Sequence, residues 1–198
     1  LATTYYRQAE KLRDEKNPEL AAQAFLKAAD MAADTKLKAT ADFDAATVLL
    51  NAEKFKEAIP VLIAFRTRHP DSPLSQDIPE KLAVAYEKSD DLGNAALQYQ
   101  AIAARDQKKN PAASREALWL AAETFEKIKQ PEQALKIYQQ YSADTTNPVD
   151  LRAEAVYRIY TYNDKNNLVS EAQNSLKNLA QIYDKLGDKA PPRIRYFG

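Results

Sequence analysis

His69 is the only histidine in this chain of 198 residues, and there is no cysteine at all. A nucleophile–base–orienter set would have to be built on that one imidazole, and a His-based metal site would have one such ligand at most. His69 stands before Pro70 in the stretch HPDSP, which reads as a turn between elements. A solvated turn residue is therefore expected rather than a general base. Asp42 and Asp44 lie two apart, so on a helix they point to different faces, and solvation is expected for both. Asp30, Asp34, Asp90 and Asp91 read as helix-end and cap residues. The runs from Glu10 to Lys16 and from Arg105 to Lys109 read as solvated helix faces. Three glycines, at 93, 187 and 198, could hardly form a phosphate-cradling loop, and without cysteine there is no disulfide, thiol nucleophile or thiolate metal site. These observations point away from an enzyme, with no cofactor and no metal expected.

The side chains whose spacing does carry a signal are aromatic. Tyr6, Phe43, Glu80, Trp119 and Tyr157 follow one another at intervals of 37, 37, 39 and 38 residues, and only Glu80 is not aromatic. The elements that position them repeat with the same intervals. Three residues further on, Ala9, Ala46, Ala83, Ala122 and Tyr160 form one anchor series. A second series, Ala21, Ala58, Ala95, Ala134 and Ala172, runs 12 residues behind it. A period in this range marks a helical-repeat solenoid, in which each unit buries its apolar face against its neighbours.

Each unit reads as two antiparallel helices. First helices are expected near 2–15, 36–51, 76–89, 112–128 and 148–164, and second helices near 18–33, 55–68, 92–107, 131–142 and 168–186. Prolines mark the joints at 70, 73, 111, 148 and 191, and Pro18 and Pro131 open second helices, where a missing N–H costs nothing. Pro60 lies about a turn inside its helix and should kink it or shift its start. On these helices a small residue is followed by a large one, as in Phe55, Ala58, Leu62 and Phe65, so two helices cross closely while the large side chain fills the gap.

The composition agrees. Charged residues make up 28% of the chain and hydrophobic ones 45%, and few glycines accompany many Ala, Leu, Lys, Glu and Gln, a mix that favours helix. Lys plus Arg equals Asp plus Glu at 28 each, with no basic stripe, so a nucleic-acid partner is not expected. No apolar run approaches the ~20 residues that cross a bilayer, so membrane insertion is not expected either. Leu1 is not an initiator methionine and no leader is evident, which suggests a piece of something longer.

The pattern resembles the tetratricopeptide repeat (TPR) family, most clearly in NAEKFKEAIPVLIAFRTRHPDSP (51–73) and QPEQALKIYQQY (130–141). The units here are three to five residues longer than that family's usual ~34. The resemblance implies an all-α, right-handed superhelical solenoid of antiparallel helix pairs. It would run as a single domain over 1–198, with repeats near 1–34, 35–72, 73–110, 111–147 and 148–188 and the start of a sixth at 191–198. The HPDSPLSQD joint is also similar to those of bacterial envelope TPR proteins of the TolA-binding and outer-membrane assembly lipoprotein type, which implies the periplasm.

In TPR proteins the first helices line a concave groove. The resemblance therefore implies a non-catalytic scaffold that binds a peptide or partner helix there. The groove residues would be Tyr6, Phe43, Glu80, Trp119 and Tyr157, flanked by Arg7, Glu10, Thr47, Glu123, Arg158 and Thr161. The Lys and Asn of the carboxylate clamp that grips chaperone tails are missing, since Tyr6, Glu10, Phe43 and Thr47 occupy the corresponding sites. The same aromatics could instead serve intramolecular packing beside the helix seam. Two further readings stay open: an accessory solenoid positioning an enzymatic or glycan-handling domain of a larger cell-envelope protein, and self-association through exposed solenoid ends.

Overall fold

A computed structural model describes residues 1–186 of the chain. The described residues form ten α-helices and no strand: α1 (Ala2–Asp14), α2 (Pro18–Met31), α3 (Thr35–Asn51), α4 (Phe55–Arg68), α5 (Ile78–Lys88), α6 (Leu92–Asp106), α7 (Pro111–Lys127), α8 (Pro131–Ala143), α9 (Val149–Lys165) and α10 (Val169–Leu186). Every boundary falls within two residues of the range read from the sequence. A 3-10 turn over Pro73–Asp77 leads into α5. The stretch read as the start of a sixth unit, 191–198, lies outside the described residues. Proline opens α2, α7 and α8 at a position whose N–H would have no helical partner. Pro60 is accommodated within α4, which still starts at Phe55, so the expected shift of its start does not occur.

One turn recurs inside every hairpin. Lys16, Glu53, Asp90, Lys129 and Asn167 are left-handed, with φ between 57° and 63°, and they repeat at the intervals of the alanines. After each, the next N–H reaches back to the carbonyl five residues earlier: Asn17 to Leu12, Lys54 to Leu49, Asp91 to Tyr86, Gln130 to Phe125 and Leu168 to Asn163, at 2.8–2.9 Å. This is the Schellman closure of a helix end, usually built on glycine because a Cβ crowds the left-handed region. Here none of the five is glycine. Asp90, read as a cap, is one of these turn residues; Asp91 caps α6 by accepting from the Asn94 N–H at 3.3 Å. Asp34 caps α3 as expected, accepting from the Leu37 N–H at 2.7 Å.

The chain divides into two compact units between Gln98 and Tyr99, a point within α6. In the first unit α1 to α5 pack in sequence order, each against the next. Its core joins Ala9, Ala21, Ala22, Ala24 and Phe25 to Ala45, Val48, Leu49 and Ala58, so alanines meet where helices cross and Phe25 fills the space between. In the second unit α7 packs on α8, α8 on α9 and α9 on α10. Ala134, Ile137, Tyr138 and Tyr141 are buried on α8, and Ala153 and Val156 of α9 meet Leu179 and Ile182 of α10. Two buried polar groups here are bonded to backbone: the Ser114 hydroxyl donates to the Ala103 carbonyl at 2.6 Å, and the Asn147 amide to the Tyr141 carbonyl at 2.8 Å.

Two acids read as solvated, and the histidine beside them, are instead structural. Asp42 is 1% exposed and accepts from His69 Nε2 at 2.7 Å and from Arg68 at 3.3 Å. His69, far from being a solvated turn residue, ends α4 with its ring 5.0 Å from that of Phe65. Asp44 accepts from the Tyr6 hydroxyl, tying α3 to α1. The physical reason is that α2 and α4 both pack on α3. Two faces of α3 are therefore interior, and neither acid has a face to itself in water.

Candidate functional site

The repeated aromatic position sits on α1, α3, α7 and α9, and Glu80 holds it on α5. In the first unit Tyr6 is half-buried, with its ring edge-on to Phe25 of the same hairpin at 5.1 Å. Burial, and then the bonded Asp44 carboxylate, raise its phenol above the usual tyrosine range. Phe43 meets Phe65 edge-on at 5.6 Å, and the Lys81 ammonium lies 5.2 Å from its ring centroid, a cation–π contact from α5. The Thr47 hydroxyl donates to the Phe43 carbonyl at 2.9 Å, so its proton is already used. Arg7 is exposed, and Glu10 and Glu80 are half-buried.

In the second unit Trp119 packs edge-on against Tyr138 at 5.3 Å and Tyr141 at 5.2 Å, both on α8. Tyr157 meets Tyr160 of its own helix at 6.1 Å, and the Thr161 hydroxyl donates to the Tyr157 carbonyl at 2.9 Å. Arg158 is the centre of a charge network. It pairs with Glu126 at 2.6 Å, Glu154 at 3.2 Å and Glu123 at 3.8 Å, while the Tyr138 hydroxyl donates to Glu126 at 3.0 Å. Burial opposes the guanidinium charge, but Tyr138, Glu126 and Glu154 outweigh it and hold the Arg158 pKa above its usual value. Arg158 and Glu123, expected to flank a groove, thus serve to tie α9 to α7.

Every aromatic of the series therefore contacts another ring of its own unit, and the hydroxyls and charges beside them are largely engaged. What stays open differs between positions. Trp119 lines a cleft of about 430 Å³ together with Ala112, Leu120, Tyr141, Pro148 and Leu151 and the charged Arg115 and Glu116. The indole thus touches two core rings and also lines the cleft. Leu120 is 40% exposed there. Sequence reasoning singled out Trp119 and missed Leu120, its neighbour on α7, and Leu151, which the turn at Asn147 and Pro148 brings in on α9. A more polar cleft of about 280 Å³, lined by Gln100, Ser114, Arg115, Gln140 and Asn147, also reaches Tyr141. In the first unit a cleft of about 600 Å³ lies over Arg68, His69, Pro70 and Pro73, with Lys36 and Thr40 opposite.

Among the described residues no group of three or more His, Cys, Asp or Glu side chains is placed to hold a metal ion. No described helix is long and apolar enough to cross a membrane.

No family model and no curated protein matches this sequence. Among solved structures the chain is similar to the crystal structure of Podosopora anserina kinesin light chain nearly identical TPR-like repeats. The identity is 14%, with 94% of this chain and 96% of that one covered and a TM-score of 0.47. A single-residue variant of the same protein matches at 13% identity over 92% and 94% of the two chains, also with a TM-score of 0.47.

Proposed function

We propose that this chain is a non-catalytic protein-interaction scaffold of the TPR-like kind, and that it seats an apolar side chain of a partner peptide or helix beside Trp119. The observation that carries this reading is the indole itself: held edge-on by two tyrosines, it still lines an open apolar cleft with Leu120 and Leu151. A ring already fixed by packing loses little freedom on binding, and aromatic anchors of this kind dominate binding energy at interfaces. Arg115 and Glu116, which also line the cleft, supply one charge of each sign to orient the backbone or side chains of the guest. Tyr6, Phe43 and Tyr157 contribute more to the stacking of their hairpins than to such a surface. The HPDSPLSQD joint supports a periplasmic or cell-envelope setting for the scaffold; recovery of the native protein with cytosolic markers on cell fractionation would remove that part.

The test is peptide selection against the whole chain, followed by calorimetric titration of the selected sequences into the wild type and a Leu120→Asp variant. Leu120 is exposed, so the fold should survive the charge. Selected peptides carrying Leu, Phe or Trp anchors should bind at least tenfold more weakly to the variant. Equal affinity for both proteins would exclude the cleft as the binding site.

A further inference from the structure

On the walls of the polar cleft of about 280 Å³, three side chains are already engaged. Ser114 donates to the Ala103 carbonyl and the Asn147 amide to the Tyr141 carbonyl, while one oxygen of Asp144 accepts from both the N–H and the hydroxyl of Thr146. Two strong donors on the same walls are unspent. The Tyr141 hydroxyl has no hydrogen-bond partner among the described residues, although the residue is only 1% exposed. Arg115 is half-buried, and its guanidinium meets no acceptor among the described residues. Burial raises the Tyr141 phenol above its ordinary range and the charge of Arg115 opposes that rise, which places the two donors near one another. Both residues also line the Trp119 cleft, so the polar and apolar clefts share a wall. Buried donors are as a rule paired, and a pair left over in one place points to an acceptor brought from outside.

We propose that Arg115 and Tyr141 together hold the side-chain carboxylate of an Asp or Glu in the partner segment whose apolar side chain seats beside Trp119. The proposal rests on the binding reading above and adds a second residue that the partner must carry. Two donors without an acceptor suit a group with two acceptor oxygens, and a carboxylate presents both in one plane to the guanidinium fork. Arg115 and Trp119 lie four residues apart on α7 and so share a face, with roughly 5–6 Å between their Cβ atoms. An extended chain advances roughly 3.3–3.6 Å per residue, so the acid stands about two residues from the apolar anchor.

The acids around the site set how much negative charge it takes. Glu116 lines the apolar cleft, Asp144 lines the polar one, and the charge of Asp150 acts on the Tyr141 phenol. Arg152 offsets part of this through its own action on Asp144. With these charges in place the site accepts one carboxylate, whereas a phosphate or a run of acids would meet more repulsion than Arg115 offsets.

Display of a random-peptide library against the whole chain and its R115Q variant tests the site. The Arg115 guanidinium makes no bond within the described residues, so R115Q should keep the wild-type circular dichroism. The wild type should enrich Asp or Glu about two residues from a Leu, Phe or Trp, and R115Q should keep the apolar enrichment and lose the acidic one. In titrations of a peptide selected on the wild type, changing its Glu to Gln should weaken binding at least about tenfold, the loss expected for a hydrogen bond to a charged group, and should barely affect R115Q. Y141F should weaken the same peptide several-fold, and amidation of the peptide's C-terminus should change nothing. Apolar anchors selected without acids would overturn the carboxylate assignment and leave the Trp119 reading standing, whereas enrichment of neither would overturn both. An acid preference that persists in R115Q, full affinity for Y141F, or affinity lost on amidation rather than on the Glu to Gln change would each overturn the proposal as well.

Discussion

The imidazole of His69 donates from Nε2 to the Asp42 carboxylate at 2.7 Å, joining the residue that ends α4 to the middle of α3. The carboxylate is almost wholly buried, and its other donor, Arg68, comes from the same helix end. Removing one donor from a buried acid costs more than the bond is worth when made, because the charge is left poorly solvated. A His69→Ala variant should therefore lose about 1–3 kcal/mol of stability in urea denaturation. In a double-mutant cycle with Asp42→Ala the two losses should be strongly non-additive. Additive losses would mean that the pair is incidental.

The five left-handed turn residues predict stabilising substitutions. A Cβ at positive φ is disfavoured, and Asp and Asn tolerate the conformation better than Lys and Glu. Glu53→Gly, Lys16→Gly and Lys129→Gly should each raise stability, by up to about 1 kcal/mol, whereas Asp90→Gly and Asn167→Gly should gain less. Thermal melts of the five single variants, ranked, check this order.

The small anchors predict the opposite sign. Ala58 and Ala134 lie at helix crossings with essentially no exposure. Ala58→Leu and Ala134→Leu should each lower stability by about 1–3 kcal/mol by forcing the crossing helices apart. Exposed Ala180→Leu, on α10, should leave folding unaffected. Denaturant midpoints for the three variants give the comparison.

Alkaline pH should weaken the second unit through Tyr138. Burial, and then the negative charge of Glu126, raise this phenol above the ordinary 10.0. Because the folded pKa is the higher one, the stabilisation is complete below about pH 10 and falls as pH rises beyond it. While only the unfolded chain ionises, the slope from this one group is about 1.4 kcal/mol per pH unit. Tyr138→Phe loses the bond to Glu126 but should flatten the slope. Urea unfolding followed from pH 9 to 11 in both proteins measures it, and identical slopes would contradict the assignment.

The helices were legible because their signals are local: prolines at the joints, a fixed interval between alanines, and small–large pairs on each stripe. The roles of individual polar residues were not. Asp42 and Asp44 sit two apart in a pattern that looks two-sided, yet both sides of α3 are interior, and only the packing of α2 and α4 reveals this. Arg158 read as a groove residue because its helix position matched, but its three acidic neighbours come partly from α7, whose proximity no spacing announces. The aromatic series was found by its interval. That Trp119 lines a mostly apolar cleft depends on where Pro148 and Leu151 fall, which the interval does not encode.

Trp119 is the only tryptophan, so its own emission reports on the proposed binding cleft. Acrylamide quenching with and without a saturating selected peptide measures the accessibility of the indole directly. The peptide should shift the emission to the blue and reduce the quenching constant several-fold, and Leu120→Asp should abolish both effects. A peptide that binds with full affinity while the indole stays equally accessible would contradict a binding surface built on Trp119.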